Sequence, residues 1–282
     1  MTQTLSIILP AHNESTWIDG CLGALCGSDP LPEDWGAEII VVPNGCRDDT
    51  AARARNWVDR FAVRGWRLLV EDRAEGGKLG ALTHGDAVAR QGSARVYLDA
   101  DVLVSPPLLA QLAEALAVDA PRYAGGRPQV SPSRQVFTCL YARFWARLPF
   151  VTTGAPGFGI FAMSAAGRAR WGDWPDIISD DTFARLNFTR DERVRVNASY
   201  SWPMVEGFAN LVRVRRRQNA GVDEVAGKFP ALMENADVGR PGAALILRLA
   251  LRDPLGFLAY AAVTLAVRSP LYHNRSRWDR GR

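Results

Sequence analysis

The sequence predicts an α/β fold: a mostly parallel central sheet flanked by helices, followed by a helical C-terminal extension. Three observations predict it. Four short apolar runs, "LSIIL" (5–9), "AEIIVV" (37–42), "WRLLV" (66–70) and "ARVYL" (94–98), have the length and β-branched content of strands buried on both faces. Helical patterns alternate with them, as a parallel sheet with crossover connections requires. A polar cluster follows each run: "PAHNE" (10–14), "PNGCRDDT" (43–50), "EDRAEGGK" (71–78) and "DAD" (99–101). Ligands of such sheets bind beyond the carboxyl ends of the strands, so the four clusters are expected to meet at one edge and form a ligand site.

Each element follows from local patterning. After the first run, Trp17, Ile18, Cys21, Leu22 and Leu25 mark one face of a helix, and Ala51, Ala54, Trp57, Val58 and Phe61 mark another after the second run. "GKLGALTHGDAVARQ" gives a shorter, glycine-interrupted third helix. "SPPLLAQLAEALA" gives a fourth, with Ser105 as its expected cap and prolines in its first turn. Beyond residue 120 the pattern loosens. "GAPGFGIFAMS" (154–164) reads as a glycine-rich loop entering a strand, and "DWPDIISDDTFARLNF" (173–188) as a turn, two acids and a helix. "ERVRVNASYSW" (192–202) reads as a strand, and "NLVRVRRRQNAG" (210–221) as an arginine-dense helix or loop. The expected division is a domain over 1–230, in two parts at 1–104 and 105–230, followed by an apolar and basic extension at 231–282.

Charge separates the two ends of the chain. Net charge is +4, yet residues 1–200 hold 21 Lys and Arg against 23 Asp and Glu, while residues 201–282 hold 13 against 7. The basic tail suggests contact with phosphates or a membrane surface. Within it, the apolar stretch 242–267 is interrupted at Arg248, Arg252, Asp253 and Pro254. The uninterrupted part is shorter than the roughly 20 residues a bilayer span needs. The segment suits the membrane interface, helped by arginines and Trp278, or packing as a helical pair on the domain. The four cysteines have no metal-type spacing and suggest a reducing compartment. The N-terminus lacks the basic and apolar regions of a signal peptide, so a cytoplasmic location is expected.

The chemistry concentrates in carboxylates. Asp99 and Asp101, one residue apart where an apolar strand ends, repel each other unless a positive charge meets them. Lys78 follows two glycines, which let backbone N–H groups approach a phosphate, and it is the only lysine in the first 200 residues of an arginine-rich chain. Asp180 and Asp181 precede a helix, where a carboxylate can serve as a general base or simply as a cap.

Taken in order, "SIILPAHNES", "EIIVVPNGCRDDT", "GGKLGAL", "YLDADV", "GAPGFGIFAMS", "ISDDTFARL" and "RVRRRQNAG" resemble the family 2 glycosyltransferases, inverting enzymes of the GT-A fold that use nucleotide-sugar donors. The resemblance runs from residue 5 to about 221. It implies a UDP- or GDP-type donor held by Pro10, His12, Glu14, Asn44, Asp49, Lys78, Asp99 and Arg217. It also implies Mg²⁺ or Mn²⁺ on Asp101 and Asp99, Asp181 as the base with Asp180 beside it, and a loop at Gly157 and Gly159 bordering the acceptor. The acceptor would be a hydroxyl, and a lipid-linked one in cell-envelope or exopolysaccharide synthesis fits the tail.

Two departures from the family pattern stand out. Asn44 occupies a position where Ser or Asp is commoner, which leaves the base preference open. Gln218 follows Arg217 where the processive members have Trp in Gln-x-x-Arg-Trp, which argues against a polymer-extruding synthase.

Other classes fit less well. His12, His84 and His273 are too scattered for a metal cluster, and no phosphate-loop or dinucleotide motif is present. A nucleic-acid binder would carry a basic, aromatic-laced centre, and here the centre is acidic. A retaining transferase would keep the paired carboxylates but need no base at Asp181. A nucleotidyltransferase would want a basic glycine-rich loop near residue 10. A silent nucleotide-sugar-binding protein would not need Asp99, Asp101 and Asp181 intact.

Overall fold

The computed structural model describes residues 3–237 and 242–269 of the 282-residue chain. Trp278 and His273 lie outside the described residues. The elements run β1 (Gln3–Ala11), α1 (Ile18–Cys26), β2 (Trp35–Pro43), α2 (Thr50–Arg55), α3 (Val58–Val63), β3 (Arg67–Val70), α4 (Lys78–Val88), β4 (Ala94–Leu98), β5 (Leu103–Val104) and α5 (Leu108–Leu116). There follow β6 (Tyr123–Val130), α6 (Val136–Trp145), α7 (Pro149–Thr152), β7 (Ile160–Met163), α8 (Ala165–Arg168), α9 (Asp180–Leu186), β8 (Arg193–Trp202), α10 (Phe208–Lys228), a 3₁₀ turn (Pro230–Asn235), α11 (Ala243–Arg252) and α12 (Pro254–Arg268).

The chain groups into two compact units. The first gathers the residues up to Pro128 with Ala155–Asp176 and Phe188–Trp202. It carries a sheet of order β3-β2-β1-β4-β7-β6-β8-β5. The first four of these strands are parallel, with β1 between β2 and β4. β7 runs antiparallel to β4, β6 to β7 and β5 to β8. This α/β, mostly parallel arrangement is the one the apolar runs predict. Every residue of β1 after Gln3 is buried, so the run reads as continuously apolar rather than alternating.

On one face Leu5, Ile7 and Leu9 meet Ile18, Leu22 and Leu25 of α1 in the main core. On the other face α4 presses close to β1. A Cβ on Gly85 would stand 2.4 Å from Ile8 Cγ2, so only glycine lets this helix approach the strand. Pro10, which has no N–H to give, falls beyond Leu5–Ile8, the stretch of β1 paired with β4.

Two local expectations are corrected. The helix expected across 51–61 is two helices, α2 and α3. Asn56 and Trp57 donate to carbonyls three residues back, at Arg53 and Ala54, which tightens the turn and redirects the chain. Trp57 is then free to donate its indole N–H to Asp19 at 2.8 Å. Ser105 does not cap α5 with its side chain: Pro107 is the N-cap, and the Ser105 hydroxyl instead accepts from the Ser199 amide at 3.2 Å, joining β5 to β8.

The second unit gathers Gln129–Gly154, Ile177–Asn187 and the described residues from Pro203 onward. Here α12 packs on α6 through Phe144, which lies 5.6 Å from Phe257 and 5.2 Å from Tyr260 between ring centroids. α10 secures the far end of α12, where Arg216 donates to Ala266 O at 2.7 Å and Val267 O at 3.0 Å. Such donation satisfies carbonyls left open at a helix C-terminus. No helix among the described residues is long and apolar enough to cross a membrane.

Candidate active site

The first unit brings the four polar clusters together beyond the ends of β1 to β4. Asn44 is the tie. It is 3% exposed, and its amide donates to Ala11 O at 2.9 Å and Val42 O at 3.2 Å, while its carbonyl accepts from Gly77 N at 3.0 Å. One buried side chain thus joins the ends of β1 and β2 to the glycine loop before α4. His12 Nδ1 lies 2.5 Å from Asn44 O, adding a second link between the first two loops.

That loop delivers Lys78, the first residue of α4. Its Nζ lies 2.9 Å from Asp99 Oδ1, with both side chains partly exposed. A positive charge therefore does meet the DAD turn, and it comes from within the protein. The turn itself explains the alternation. Val102 N donates to Asp99 O at 3.1 Å, Ala100 is buried, and Asp99 and Asp101 flank it half-buried. Asp99 N donates to Gly159 O at 2.8 Å, so the GAPGFG loop rests on the turn. Gly159 has φ +69°, and a Cβ there would stand 2.7 Å from Val102 Cγ2. Glycine is needed both for the backbone and for the space. Gly157 shares the left-handed conformation at φ +83°.

Glu14 is buried beside these groups, its amide donating to Thr50 Oγ1 at 2.8 Å. Cys21 lies directly behind the turn, with its thiol 3.9 Å from Asp99 O. Burial pushes the Cys21 thiol far up, and the carboxylates of Asp101, Asp99 and Glu14 push it further. Three carboxylates therefore concentrate negative potential at this edge.

Asp48 and Asp49 divide their labour. Burial works against ionisation of Asp48, but hydrogen bonds from Thr50 and Ser15 outweigh it and hold its carboxyl at about 2. Asp48 thus staples the second loop to the first. Asp49, the N-cap residue of α2, is exposed and pairs with Arg53 at 2.8 Å.

The residues at the turn fit a divalent cation. Two carboxylates offer hard oxygen donors in a region of negative potential, and Mg²⁺ or Mn²⁺ held partly by substrate phosphates needs no more than that. Among the described residues no group of three or more His, Cys, Asp and Glu forms a full cage.

The second unit carries the other acids. Asp180 and Asp181 open α9, where negative charge is favoured by the helix dipole. Asp180 is 5% exposed; Asp181 Oδ1 accepts from Ser179 Oγ at 3.0 Å and from Thr182 N at 2.7 Å. α10 positions this turn. A Cβ on Gly221 would stand 2.9 Å from Ser179 Cβ, and Glu224 accepts from Ile178 N at 2.8 Å. Arg217 lies one turn before Gly221 on the same face of α10. Its neighbours are structural: Arg216 holds the end of α12, and Arg215 donates to Tyr141 Oη at 2.6 Å.

The family description "Glycosyl transferase family 2" matches residues 6–163, more than half of the chain. The chain belongs to glycosyl transferase family 2. It is 30% identical over 124 residues to validoxylamine A glucosyltransferase of Streptomyces hygroscopicus subsp. limoneus, a match covering 42% of this chain and 24% of that protein. The chain thus spans about a quarter of the length of the curated relatives it matches.

Three solved structures share its fold. A mannosyltransferase from Pyrobaculum calidifontis in complex with GDP-Man and Mn²⁺ has TM-score 0.59 at 19% identity, covering 93% of this chain and 73% of its own. Staphylococcus aureus TarS 1–349 in complex with UDP-GlcNAc has TM-score 0.52 at 16% identity, covering 94% and 82%. Glucosyl-3-phosphoglycerate synthase from Mycobacterium tuberculosis, with Mn²⁺ and UDP-glucose, has TM-score 0.52 at 23% identity, covering 80% and 79%. The fold of this family 2 chain is thus the GT-A fold of glycosyltransferases.

The structure gathers Pro10, His12, Glu14, Asn44, Lys78, Asp99, Asp101, Gly157 and Gly159 in the first unit, together with the exposed Asp49. Asp180, Asp181 and Arg217 belong to the second unit. Sequence reasoning missed Asn44 as a tie, Glu224 and Gly221 as the support of Ile178 and Ser179, and Asp48 as a staple. Of these, only Asp48 carried a readable signal, its place two residues before Thr50 in a cap-like run.

Proposed function

We propose that the protein is an inverting glycosyltransferase that moves a sugar from a UDP- or GDP-type donor to a hydroxyl acceptor. The observation that carries this reading is the Lys78–Asp99 contact at 2.9 Å, set at the edge where the first four strands end. A cation and the DAD carboxylates together at this edge support a diphosphate site there. Residues 1–104 form the donor half in this reading and 105–230 the acceptor half.

Pro10, His12, Glu14, Asn44 and Asp49 shape the nucleoside end, with Asn44 acting by holding the loops. Lys78 and Arg217 balance the diphosphate charge. Asp99 and Asp101 would hold Mg²⁺ or Mn²⁺, which supplies further neutralisation of the diphosphate. Gly157 and Gly159 place their loop beside the transferred sugar. Asp181 takes the proton of the acceptor hydroxyl as that oxygen bonds to the anomeric carbon. The bond from the anomeric carbon to the phosphate oxygen breaks, and the nucleoside diphosphate leaves. Hydrogen bonds from Ser179 and Thr182 fix one Asp181 oxygen, which orients the other. Asp180 supports the acceptor side.

The basic, apolar extension 231–282 suits a peripheral position on the cytoplasmic face of a membrane, a lipid-linked acceptor, and a place in envelope or exopolysaccharide synthesis. The test is release of nucleoside diphosphate from a panel of UDP- and GDP-sugars, with the product's anomeric configuration read by NMR. Asp181→Asn is expected to lower kcat by about 10²- to 10⁴-fold, the usual contribution of a general base, with nucleotide affinity unchanged. Full turnover by this variant removes the base assignment, and retained configuration removes inversion.

A further inference from the structure

The elbow between α11 and α12 combines features that the glycosyl-transfer reading does not use. An open cleft of about 270 Å³ is lined by Arg143, Arg147, Arg252, Asp253, Pro254 and Leu255. Its single acid is turned inward. Asp253 is 4% exposed and accepts from Arg143 Nε at 2.7 Å, Arg143 Nη2 at 2.5 Å, Arg147 Nη1 at 3.3 Å and Gly256 N at 3.0 Å. Those bonds fix the guanidinium of Arg143 and brace that of Arg147, yet both side chains remain about half exposed. Three arginines and one acid leave the cleft with two net positive charges. Rigid guanidinium groups match the geometry of a phosphate.

The surface beside the cleft is apolar. Leu247 and Leu251 on α11 and Leu255 and Leu258 on α12 are 60 to 76% exposed. Leu247 and Leu251 stand four apart on α11 and Leu255 and Leu258 three apart on α12, so each helix exposes an apolar pair beside the bend at Asp253. Only Leu249 of α11 is buried, so this helix contributes little to the core. Exposed leucines rimmed by arginines match the two layers of an anionic membrane surface: acyl chains below and phosphates above. The sequence after the described residues, 270–282, adds four arginines against one aspartate.

We infer that this elbow is a lipid-docking site: the arginine cleft takes the headgroup phosphate of an anionic phospholipid, and Leu247, Leu251, Leu255 and Leu258 enter the acyl boundary. The inference rests on the membrane-facing reading of the extension and is independent of the catalytic assignments. It deepens that reading by naming the lipid charge class and the residues that recognise it.

The test is co-sedimentation of the full chain with phosphatidylcholine vesicles, with and without phosphatidylglycerol. The protein is expected to bind the mixed vesicles and to leave pure phosphatidylcholine vesicles largely unbound. Arg252→Glu reverses an exposed charge that makes no hydrogen bond or ion pair among the described residues. Each unit of charge at an anionic surface is worth about fivefold in partitioning, so this variant is expected to bind the mixed vesicles about 25-fold more weakly. Arg55→Glu makes the same charge change on α2 and is expected to bind like wild type. Leu251→Ser with Leu255→Ser is expected to abolish binding.

Wild type that ignores both vesicles overturns the membrane reading and this inference with it. Binding that Arg252→Glu leaves intact, or that Arg55→Glu weakens equally, keeps the membrane reading and overturns the cleft. Release from the mixed vesicles by inorganic phosphate at constant ionic strength makes the cleft a soluble-phosphate site and overturns the lipid assignment. Nucleotide binding measured on the same samples reports the donor site separately, so the failure of one reading is not mistaken for failure of the other.

Discussion

Replacing Asn44 by alanine should separate a residue that touches the nucleotide from one that holds the loops around it. The side chain makes three hydrogen bonds at a 3% exposed position: two donated to Ala11 O and Val42 O, and one accepted from Gly77 N. A neutral intramolecular hydrogen bond contributes about 1 kcal/mol net. Gly77 N lies near the surface and regains water, so the expected loss is about 2–3 kcal/mol. For a protein of this size that lowers Tm by about 3–5 °C. The released Gly76–Gly77 pair must then be ordered when the nucleotide binds. Fixing one or two residues costs about 1–2 kcal/mol, which weakens nucleotide affinity about five- to thirtyfold. The assay is thermal unfolding followed by calorimetric titration with UDP and GDP. The account predicts both losses together, and similar weakening for whichever nucleotide wild type binds and its sugar-bearing form. An unchanged Tm with affinity lost for one base alone would refute the tie and place Asn44 against the base.

Three further outcomes follow from the same geometry. Lys78→Gln removes a charge aimed at the diphosphate; nucleotide affinity should fall about 10- to 100-fold by titration, since hydrogen bonds to charged groups contribute about 1.5–3 kcal/mol. Its Tm should move little, because the partly exposed pair with Asp99 adds only about 0–1 kcal/mol to folding. Gly221→Ala drives a Cβ to 2.9 Å from Ser179 Cβ and shifts the turn that carries Asp181, so kcat should fall while nucleotide affinity stays at its wild-type value. Asp48 has a folded pKa of about 2 against an ordinary 3.8, so its stabilisation is present above about pH 4 and is lost as pH falls through 2. Screening at this exposed residue reduces it to about 1 kcal/mol. Asp48→Asn should therefore be less stable than wild type near neutral pH in urea titrations, with the gap closing toward pH 2.

The four parallel strands were legible because strands buried on both faces need continuous apolar runs, and nothing else in the first hundred residues has that form. The edge they share was legible because each run ends in polar residues. The break between α2 and α3 was not, since Ala54, Trp57, Val58 and Phe61 keep helical spacing through the tightened turn, and the partner that Trp57 meets, Asp19, lies 38 residues away. β6 is hard to read because "YAGGRPQV" looks like a loop; a Cβ on Gly126 would stand 2.7 Å from Leu108 Cδ1 and one on Gly125 3.3 Å from Ala155 Cβ. The place of Asn44 in the motif suggests a donor contact. Its amide is spent on Ala11, Val42 and Gly77, partners on separate loops that no local pattern reveals. Glu224 reaches Ile178 from 46 residues away and left no trace in the sequence for the same reason.

The most direct measurement for the account as a whole is calorimetric titration of UDP and GDP into the wild-type chain and Asp101→Asn, each with and without Mn²⁺. The account predicts that wild type binds one nucleoside diphosphate much more tightly with the metal, and that Asp101→Asn loses this gain while keeping its Tm. Nucleotide binding that ignores both the metal and the Asp101 substitution would contradict it.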